Sequence, residues 1–334
     1  MPNRSPAVVL VCQPLLFNKS GAWREILESA GFEVRFPCMG GCVLTEAQLE
    51  LDLDGASATI ASTEPYTASI LKRATSLRVI SRTGVGYDTI NTGAATDRGV
   101  VVACTPGTNH EAVAEHAFAL LLAVAKRIVP GHAEVAHGGF RRQPSLALRG
   151  KTLGLVGLGR TGRAVARRAA AFDMQVLAHD PFLTTPPGDA RDVVLVAFED
   201  LLARCDIISL HAAATEGTSR LIRRESLAQM KQGVVLVNTA RGTLIDEAAL
   251  SEALLSGRVA AAGLDVFERE PPTGSPLLSA PNVVLSPHLA GIDEQALEDM
   301  ATMAAQTIVD LNQRRWPVER LVNAGQLPQP WKWA

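Results

Sequence analysis

The sequence predicts a wound α/β protein built on parallel sheets, and three observations carry that expectation. Short apolar or β-branched runs alternate with helix-period segments along nearly the whole chain. One of those runs opens into a glycine-rich turn and then a helix, the local order of a dinucleotide-binding strand–turn–helix. At 334 residues the chain has room for about two domains, each with its own core.

Taken in order, the first series supplies strands at 8–12, 32–36, 58–61, 77–81 and 100–103, each brief and bounded by Gly, Pro, Asn or Asp. Helical stretches at 23–30 and 66–74 lie between them. A second series begins at Lys151 with a strand over 152–157. A helix over 161–172 follows, with Val165, Ala169 and Phe172 on one face, and then strands at 175–179, 207–210, 234–238, 261–264 and 283–286. The two series are joined by residues 109–129, apolar on nearly all sides at the centre. Such a helix must be buried all round, within the chain or against a partner subunit. A last helix over 293–315 places Leu297, Met300, Ala304, Ile308 and Leu311 at spacings of three and four. Its acidic start (Asp293, Glu294) and basic end (Arg314, Arg315) suit the helix dipole. The tail beyond it, with Trp331 and Trp333, reads as surface packing.

Composition removes several function classes. Hydrophobic residues make up 47% and charged residues 20% of the chain, a globular balance rather than a disordered one. Lys and Arg number 32 against 34 Asp and Glu, a net charge of −2, which argues against nucleic acid or an anionic membrane as the main partner. The longest purely apolar stretch, 117–125, is nine residues, about half of what a spanning helix needs. Near the N-terminus, Arg4 precedes an apolar run over 7–11 that Gln13 and Pro14 cut short. The run is too short for a secretory core and reads as a first strand. Cysteines at 12, 38, 42, 104 and 205 form no repeating framework, and the Cys38/Cys42 pair lacks the two further ligands a zinc site needs. The expectation is a cytoplasmic protein with reduced thiols and no metal.

The strand at 152–156 runs directly into Gly157-Leu158-Gly159-Arg160-Thr161-Gly162. The first glycine allows the tight turn, the second lets backbone approach a pyrophosphate, and the third lets helix and strand pack closely. Exposed N–H groups at the helix start then favour the phosphate charge. Asp180 closes the next strand about 20 residues on, where a carboxylate accepts from the ribose 2′-hydroxyl and repels a 2′-phosphate. Standing alone, an Asp before Pro181 would read as a turn starter. Fingerprint and spacing together point to NAD, ahead of NADP.

Three segments downstream each place a polar group just after an apolar strand: Asn238-Thr239-Ala240-Arg241-Gly242, Asp265-Val266-Phe267-Glu268-Arg269-Glu270-Pro271, and Ser286-Pro287-His288. Ligands of open parallel sheets sit at the carboxyl ends of strands, so all three belong to one crevice. Singly, Arg241 reads as a helix cap or surface partner, Glu270 as a turn residue and His288 as a core histidine. Together, downstream of a dinucleotide fingerprint, they form a candidate hydride-transfer constellation.

At this point the chain resembles the D-isomer-specific 2-hydroxyacid dehydrogenases, in the phosphoglycerate dehydrogenase-like branch. The resemblance rests on the segments above together with Gly84-Val85-Gly86-Tyr87-Asp88, Thr105-Pro106-Gly107-Thr108-Asn109 and Ala112-Val113-Ala114-Glu115-His116, over about residues 77 to 291. It implies two Rossmann/flavodoxin-like domains with doubly wound parallel sheets. A substrate-binding (catalytic) domain spans 1–104 and 291–334, and an NAD-binding domain is inserted as 105–290. It further implies His288 as general acid/base, Glu270 as the imidazole's partner, and Arg241 holding the substrate carboxylate. Backbone N–H groups at Val85 and Gly86 complete the carboxylate site, with Asn109 nearby. Gly157, Gly159, Arg160, Thr161 and Gly162 would meet the pyrophosphate. Asp180 and Ala212 would lie on the adenosine side, and Thr239, Ala240, Asp265, His288 and Gly291 around the nicotinamide. The 109–129 helix resembles the family's dimerisation element, implying a homodimer.

The match thins at the substrate. Phosphoglycerate enzymes of this family carry an Arg in the third strand of the first domain, where this chain has Ala61-Ser62-Thr63-Glu64. Arg82 is a candidate substitute, with a surface arginine as the ordinary reading. The expected substrate is therefore a 2-hydroxyacid or 2-oxoacid, phosphoglycerate-like or glyoxylate/hydroxypyruvate-like. One alternative is an NAD(H)-sensing corepressor-like binding protein. Another is phosphite or formate oxidation, disfavoured because formate enzymes have Gln at the Glu270 position and phosphite enzymes use a Lys near Val85.

Overall fold

The computed structural model describes residues 6–39, 44–327 and 331–333. Arg4 and Cys42, which entered the readings above, lie outside the described residues. The chain divides into two compact units, Met1–Asn109 with Glu294–Ala334 (unit 1) and His110–Asp293 (unit 2). The sequence reading sets these breaks at 104/105 and 290/291.

Unit 1 begins with β1 (Val8–Val11), α1 (Ala22–Ser29), β2 (Glu33–Arg35), α2 (Glu46–Asp52), β3 (Ala56–Ala61), α3 (Ala68–Arg73), β4 (Val79–Arg82), α4 (Thr92–Asp97) and β5 (Val101–Ala103). Its strands pair in parallel in the order β2-β1-β3-β4-β5. Both faces of such a sheet are covered, which is why β1 and β3–β5 read as nearly continuous apolar runs. The strand order reverses between β1 and β3, and the crevice of a wound sheet opens outside the carboxyl ends there.

Unit 2 follows with α5 (His110–Ala125), α6 (Ile128–Ala136), β6 (Thr152–Val156), α7 (Arg160–Ala170), β7 (Gln175–His179), β8 (Val194–Leu195), α8 (Phe198–Arg204), β9 (Ile207–Leu210), α9 (Arg224–Gln229), β10 (Val234–Asn238), α10 (Glu247–Leu255), β11 (Val259–Leu264) and β12 (Val283–Leu285). The seven strands run in the order β12-β11-β10-β9-β6-β7-β8, so the winding reverses between β6 and β9. Residues following β6, β7, β9, β10, β11 and β12 thereby share one edge. Helix α5 lies on this sheet, and Gly263 of β11 is the position that admits it: an added Cβ would stand 2.8 Å from the Leu120 Cβ.

Two expectations about helices are corrected. The segment 109–129 is not one helix, because Arg127 turns into the left-handed region (φ +55°) between α5 and α6. A helix running on from α5 would need an N–H at Pro130 for the Lys126 carbonyl, and proline has none. A helix restarting at Ile128 puts Pro130 in the first turn, where the N–H is not needed. Helix α5 buries Ala117, Phe118, Leu120, Leu121 and Val124 within unit 2, whereas α6 buries nothing.

The chain returns to unit 1 as α11 (Glu294–Asn312), with Met300, Ala304, Ile308 and Leu311 in the core. It stops short of the expected basic end. Arg314 adopts φ +62°, and Arg315 bonds back to Asp310 at 2.6 Å. Trp331 donates its indole N–H to the Gly99 carbonyl at 2.8 Å, and Trp333 sits edge-on to Phe32. The tail thus covers the core of unit 1. Among the described residues, no helix is long and apolar enough to cross a membrane.

Candidate active site

The three polar groups singled out from sequence follow three neighbouring strands of unit 2. Arg241 follows β10, Glu270 lies on the loop after β11, and His288 follows β12. The spacing between the first two loops depends on Gly242. A Cβ there would stand 1.8 Å from the Phe267 carbonyl carbon, so only glycine lets the Arg241 turn lie against the 267–268 backbone. The Asn238 side chain closes the same turn by donating to the Arg241 carbonyl and accepting from the Ala240 N–H. The Arg241 Nη1 donates to the Ala240 carbonyl at 2.7 Å.

His288 and Glu270 are in direct contact, Nδ1 to Oε2 at 2.6 Å, each about one-third exposed. The other Glu270 oxygen accepts from the Phe267 N–H at 3.1 Å, which orients the carboxylate. An ionised carboxylate only accepts, so Nδ1 carries the hydrogen and Nε2 is left for chemistry. His288 itself has φ +55°. Asp265, fully buried at the end of β11, accepts at one oxygen from Ser286 and the Leu289 N–H, and at the other from the Ala290 N–H. Burial would raise its pKa, but hydrogen bonds from His116, Ser286 and the two backbone N–H groups outweigh that and hold the carboxyl below its ordinary value.

The nucleotide end of the edge fits a dinucleotide on three counts. Gly157 takes φ +97°, and a Cβ there would stand 2.8 Å from the His211 backbone. A Cβ on Gly162 would stand 2.2 Å from the Gly157 carbonyl, so the first and third glycines are dictated by the protein itself. At Gly159, by contrast, an added Cβ would meet no protein atom within 4 Å, the open space a pyrophosphate needs at the start of α7. Asp180 caps this region by accepting from the Leu158 N–H at 2.9 Å and the Phe182 N–H at 3.0 Å, and each oxygen keeps a lone pair for a ribose hydroxyl. The Thr239 hydroxyl is buried without a hydrogen-bond partner, as a group awaiting a ligand would be. Arg160 and Thr161 open α7, Ala212 follows β9, and Gly291 follows the His288 turn. His211, after β9, bonds Ser209 through Nε2 at 2.9 Å, and burial pushes its pKa down to about 4.

The remaining sequence candidates belong to unit 1. Val85 and Gly86 lie on the turn after β4, with Val85 44% exposed, and Asn109 closes the unit's first segment. Arg82 is turned inward. It is 9% exposed and donates to the Thr83 carbonyl at 2.8 Å, with Nη1 1.7 Å from where a Gly84 Cβ would be. Sequence reasoning assigned no role to His116 or Ser286, although both fall in quoted segments. They meet at 2.8 Å across 170 positions, and no spacing rule reaches that far.

A parallel seven-stranded sheet with a glycine-rich turn of the dinucleotide-binding kind and a His288–Glu270 pair along one edge defines a nucleotide-binding α/β protein of the dehydrogenase type. Residues 118–290 match the family model described as D-isomer specific 2-hydroxyacid dehydrogenase, NAD binding domain. The chain is 44% identical over 259 residues to D-3-phosphoglycerate dehydrogenase of Archaeoglobus fulgidus, covering 77% of this chain and 49% of that protein. It is 43% identical over 242 residues to hydroxypyruvate reductase of Thermotoga maritima, covering 71% and 78%. The structure resembles that of the TT0316 protein from Thermus thermophilus with a TM-score of 0.85 at 39% identity, covering 94% and 99% of the two chains. The chain belongs to the D-isomer specific 2-hydroxyacid dehydrogenase family, and unit 2 is its NAD-binding domain. It spans about half the length of the phosphoglycerate dehydrogenases it matches.

Proposed function

We propose that this protein is an NAD-dependent D-2-hydroxyacid dehydrogenase of the cytoplasm, interconverting a 2-oxoacid and a D-2-hydroxyacid. The observation that carries the reading is the 2.6 Å contact between His288 and Glu270 beside a cradle suited to NAD. Reduction needs a hydride at C2, which the bound cofactor supplies, and a proton at the carbonyl oxygen. His288 delivers that proton from Nε2 and recovers it in the reverse direction. Glu270 keeps the ring oriented and favours its protonated form. The planar fork of Arg241 holds the carboxylate and polarises the carbonyl, while Asp180 selects the unphosphorylated ribose of NAD. From unit 1, the backbone N–H groups of Val85 and Gly86, with Asn109, are proposed carboxylate contacts. The cytoplasmic assignment is supported by cysteines at 12, 38, 42, 104 and 205 that form no repeating framework.

The substrate we favour is a small unphosphorylated acid. Ala61 ends β3 and Arg82 is directed under its own loop, so a phosphate finds poor support at this end of unit 1. The protein also acts, in this reading, as a homodimer. Helix α5 spends its apolar surface inside unit 2, but α6 presents Ile128, Val129 and Val135 to solvent, the kind of face a second copy covers.

The test is NADH oxidation against glyoxylate, hydroxypyruvate, 3-phosphohydroxypyruvate and phosphonopyruvate, with NADPH in parallel. Turnover with NADH and preference for an unphosphorylated acid are expected. Preference for the phosphorylated acids would reject the substrate choice alone. Tight NADH binding without any turnover would replace the enzyme reading with that of a nucleotide sensor.

A further inference from the structure

One polar pair in unit 2, His116 with Ser286, has no place in the chemistry above, and it leads through Asp265 to the turn that carries His288. That residue is in the left-handed region, which non-glycine residues seldom adopt and which costs free energy to hold. Three successive N–H groups are pinned there by one residue. His288 donates to the Asp265 carbonyl at 2.9 Å, Leu289 to Oδ1 at 2.9 Å, and Ala290 to Oδ2 at 2.8 Å. Ser286 Oγ lies 2.6 Å from Oδ1. A carboxylate only accepts, so the single hydroxyl hydrogen of Ser286 goes to Asp265. The 2.8 Å contact between Ser286 Oγ and His116 Nε2 must then be donated by His116. The His116 ring stands 3.5 Å from Oδ1 and is about one-quarter exposed. It reaches this chain from α5, an element remote in sequence from the β12 loop.

We propose that His116 is a positioning residue for the reaction: its Nε2–H, relayed through Ser286 to the buried Asp265 carboxylate, holds the left-handed turn that aims the His288 ring. The inference rests on the assignment of His288 as the acid/base. Losing the donor leaves Ser286 free to rotate away from Asp265 and loosens the turn, without touching substrate or cofactor.

The experiment compares His116→Ala, His116→Gln, Ser286→Ala and the His116→Ala/Ser286→Ala pair. Gln keeps an N–H donor on a side chain of similar reach. For His116→Ala, kcat is expected to fall about tenfold, the equivalent of one buried hydrogen bond, with the Kd for NADH within about twofold of the parent. His116→Gln should recover most of the loss, and the double variant should be no worse than the poorer single one, because both changes break one chain. Unchanged kcat in His116→Ala and Ser286→Ala, or fully additive losses in the pair, would overturn the proposal. So would a loss in His116→Ala that tracks a fall in Tm and is not rescued by Gln. A second measurement is independent of turnover. Two-bond 1H–15N correlation spectra of histidine-labelled protein should show a hydrogen on His116 Nε2, and the His288 ring signals should move in Ser286→Ala. A His116 ring with its hydrogen on Nδ1 alone, or His288 signals indifferent to Ser286→Ala, would overturn the proposal even in a protein that reduces no 2-oxoacid. Absence of turnover in the parent would instead count against the proposed function.

Discussion

With Nδ1 bound to Glu270, Nε2 is the His288 ring nitrogen left for the proton transfer proposed above. Replacing His288 with Ala is therefore expected to lower kcat by about 10²–10⁴-fold, the usual contribution of a positioned acid/base, with little change in the Kd for NADH. Unchanged turnover in steady-state assays would remove it from the mechanism. Glu270→Gln keeps the shape but removes the negative charge that favours the imidazolium. Reduction needs the protonated ring, so without the carboxylate charge activity should be lost at lower pH on the alkaline side of kcat/KM profiles. An identical profile would show that Glu270 does not act on the ring. His211 offers a separate pH signature. Its folded-state pKa of about 4 lies below the ordinary 6.5, so between these values the unfolded chain binds more protons than the folded one. Stability must then fall as pH drops from 6.5 towards 4, with a slope of at most about 1.4 kcal/mol per pH unit from this residue. Urea titrations across that window should show a shallower decline in His211→Gln, and equal slopes would reject the assignment.

Among the elements, the parallel strands were legible because burial on both faces leaves short apolar runs, and their carboxyl ends carried the Gly157 turn, Arg241 and His288 within reach of pattern reasoning. Helices α2, α4, α8 and α9 were not singled out. They are six or seven residues long, too few turns for periodicity to stand out. Their local signals are single caps such as Thr45 with Gln48 and Asn91, whereas α10 was expected only by its start near Asp246. The division of residues 109–129 could have been read from Pro130, whose missing N–H outweighs the apolar run before it. The His116–Ser286–Asp265 chain could not, since it joins α5 to the loop after β12 through tertiary contact alone. Gly242 is intermediate: it was quoted in the motif, but its reason is the backbone of the neighbouring loop. Gly242→Ala must push the Arg241 turn away from residues 267–268. It is expected to raise KM for the 2-oxoacid and to lower Tm, while NADH binding at the far end of the sheet edge persists. A variant with parental KM and Tm in kinetic and calorimetric assays would show that the two loops tolerate separation.

At the scale of the whole molecule, the apolar surface left uncovered bears on assembly. Every residue of α6 is solvent-exposed, with Ile128 at 58%, Val129 at 52% and Val135 at 59%, and Phe140 just beyond it is 77% exposed. Scattered apolar residues are ordinary on a protein surface, but a helix that buries none of its own gains nothing from folding against its unit. Such a helix is stabilised when another surface excludes water from it, and most soluble oligomers meet this need with a second copy across a two-fold axis. Burying three such aliphatic side chains contributes on the order of several kcal/mol per subunit before the cost of association. The double substitution Ile128→Asp/Val135→Asp places two charges on that face without disturbing any buried contact. Sedimentation equilibrium is expected to show the parent at twice the chain mass of 35.4 kDa and the variant at the single-chain mass. A parent already monomeric at micromolar concentration, or a variant that stays dimeric, would place the dimer contact elsewhere or remove it.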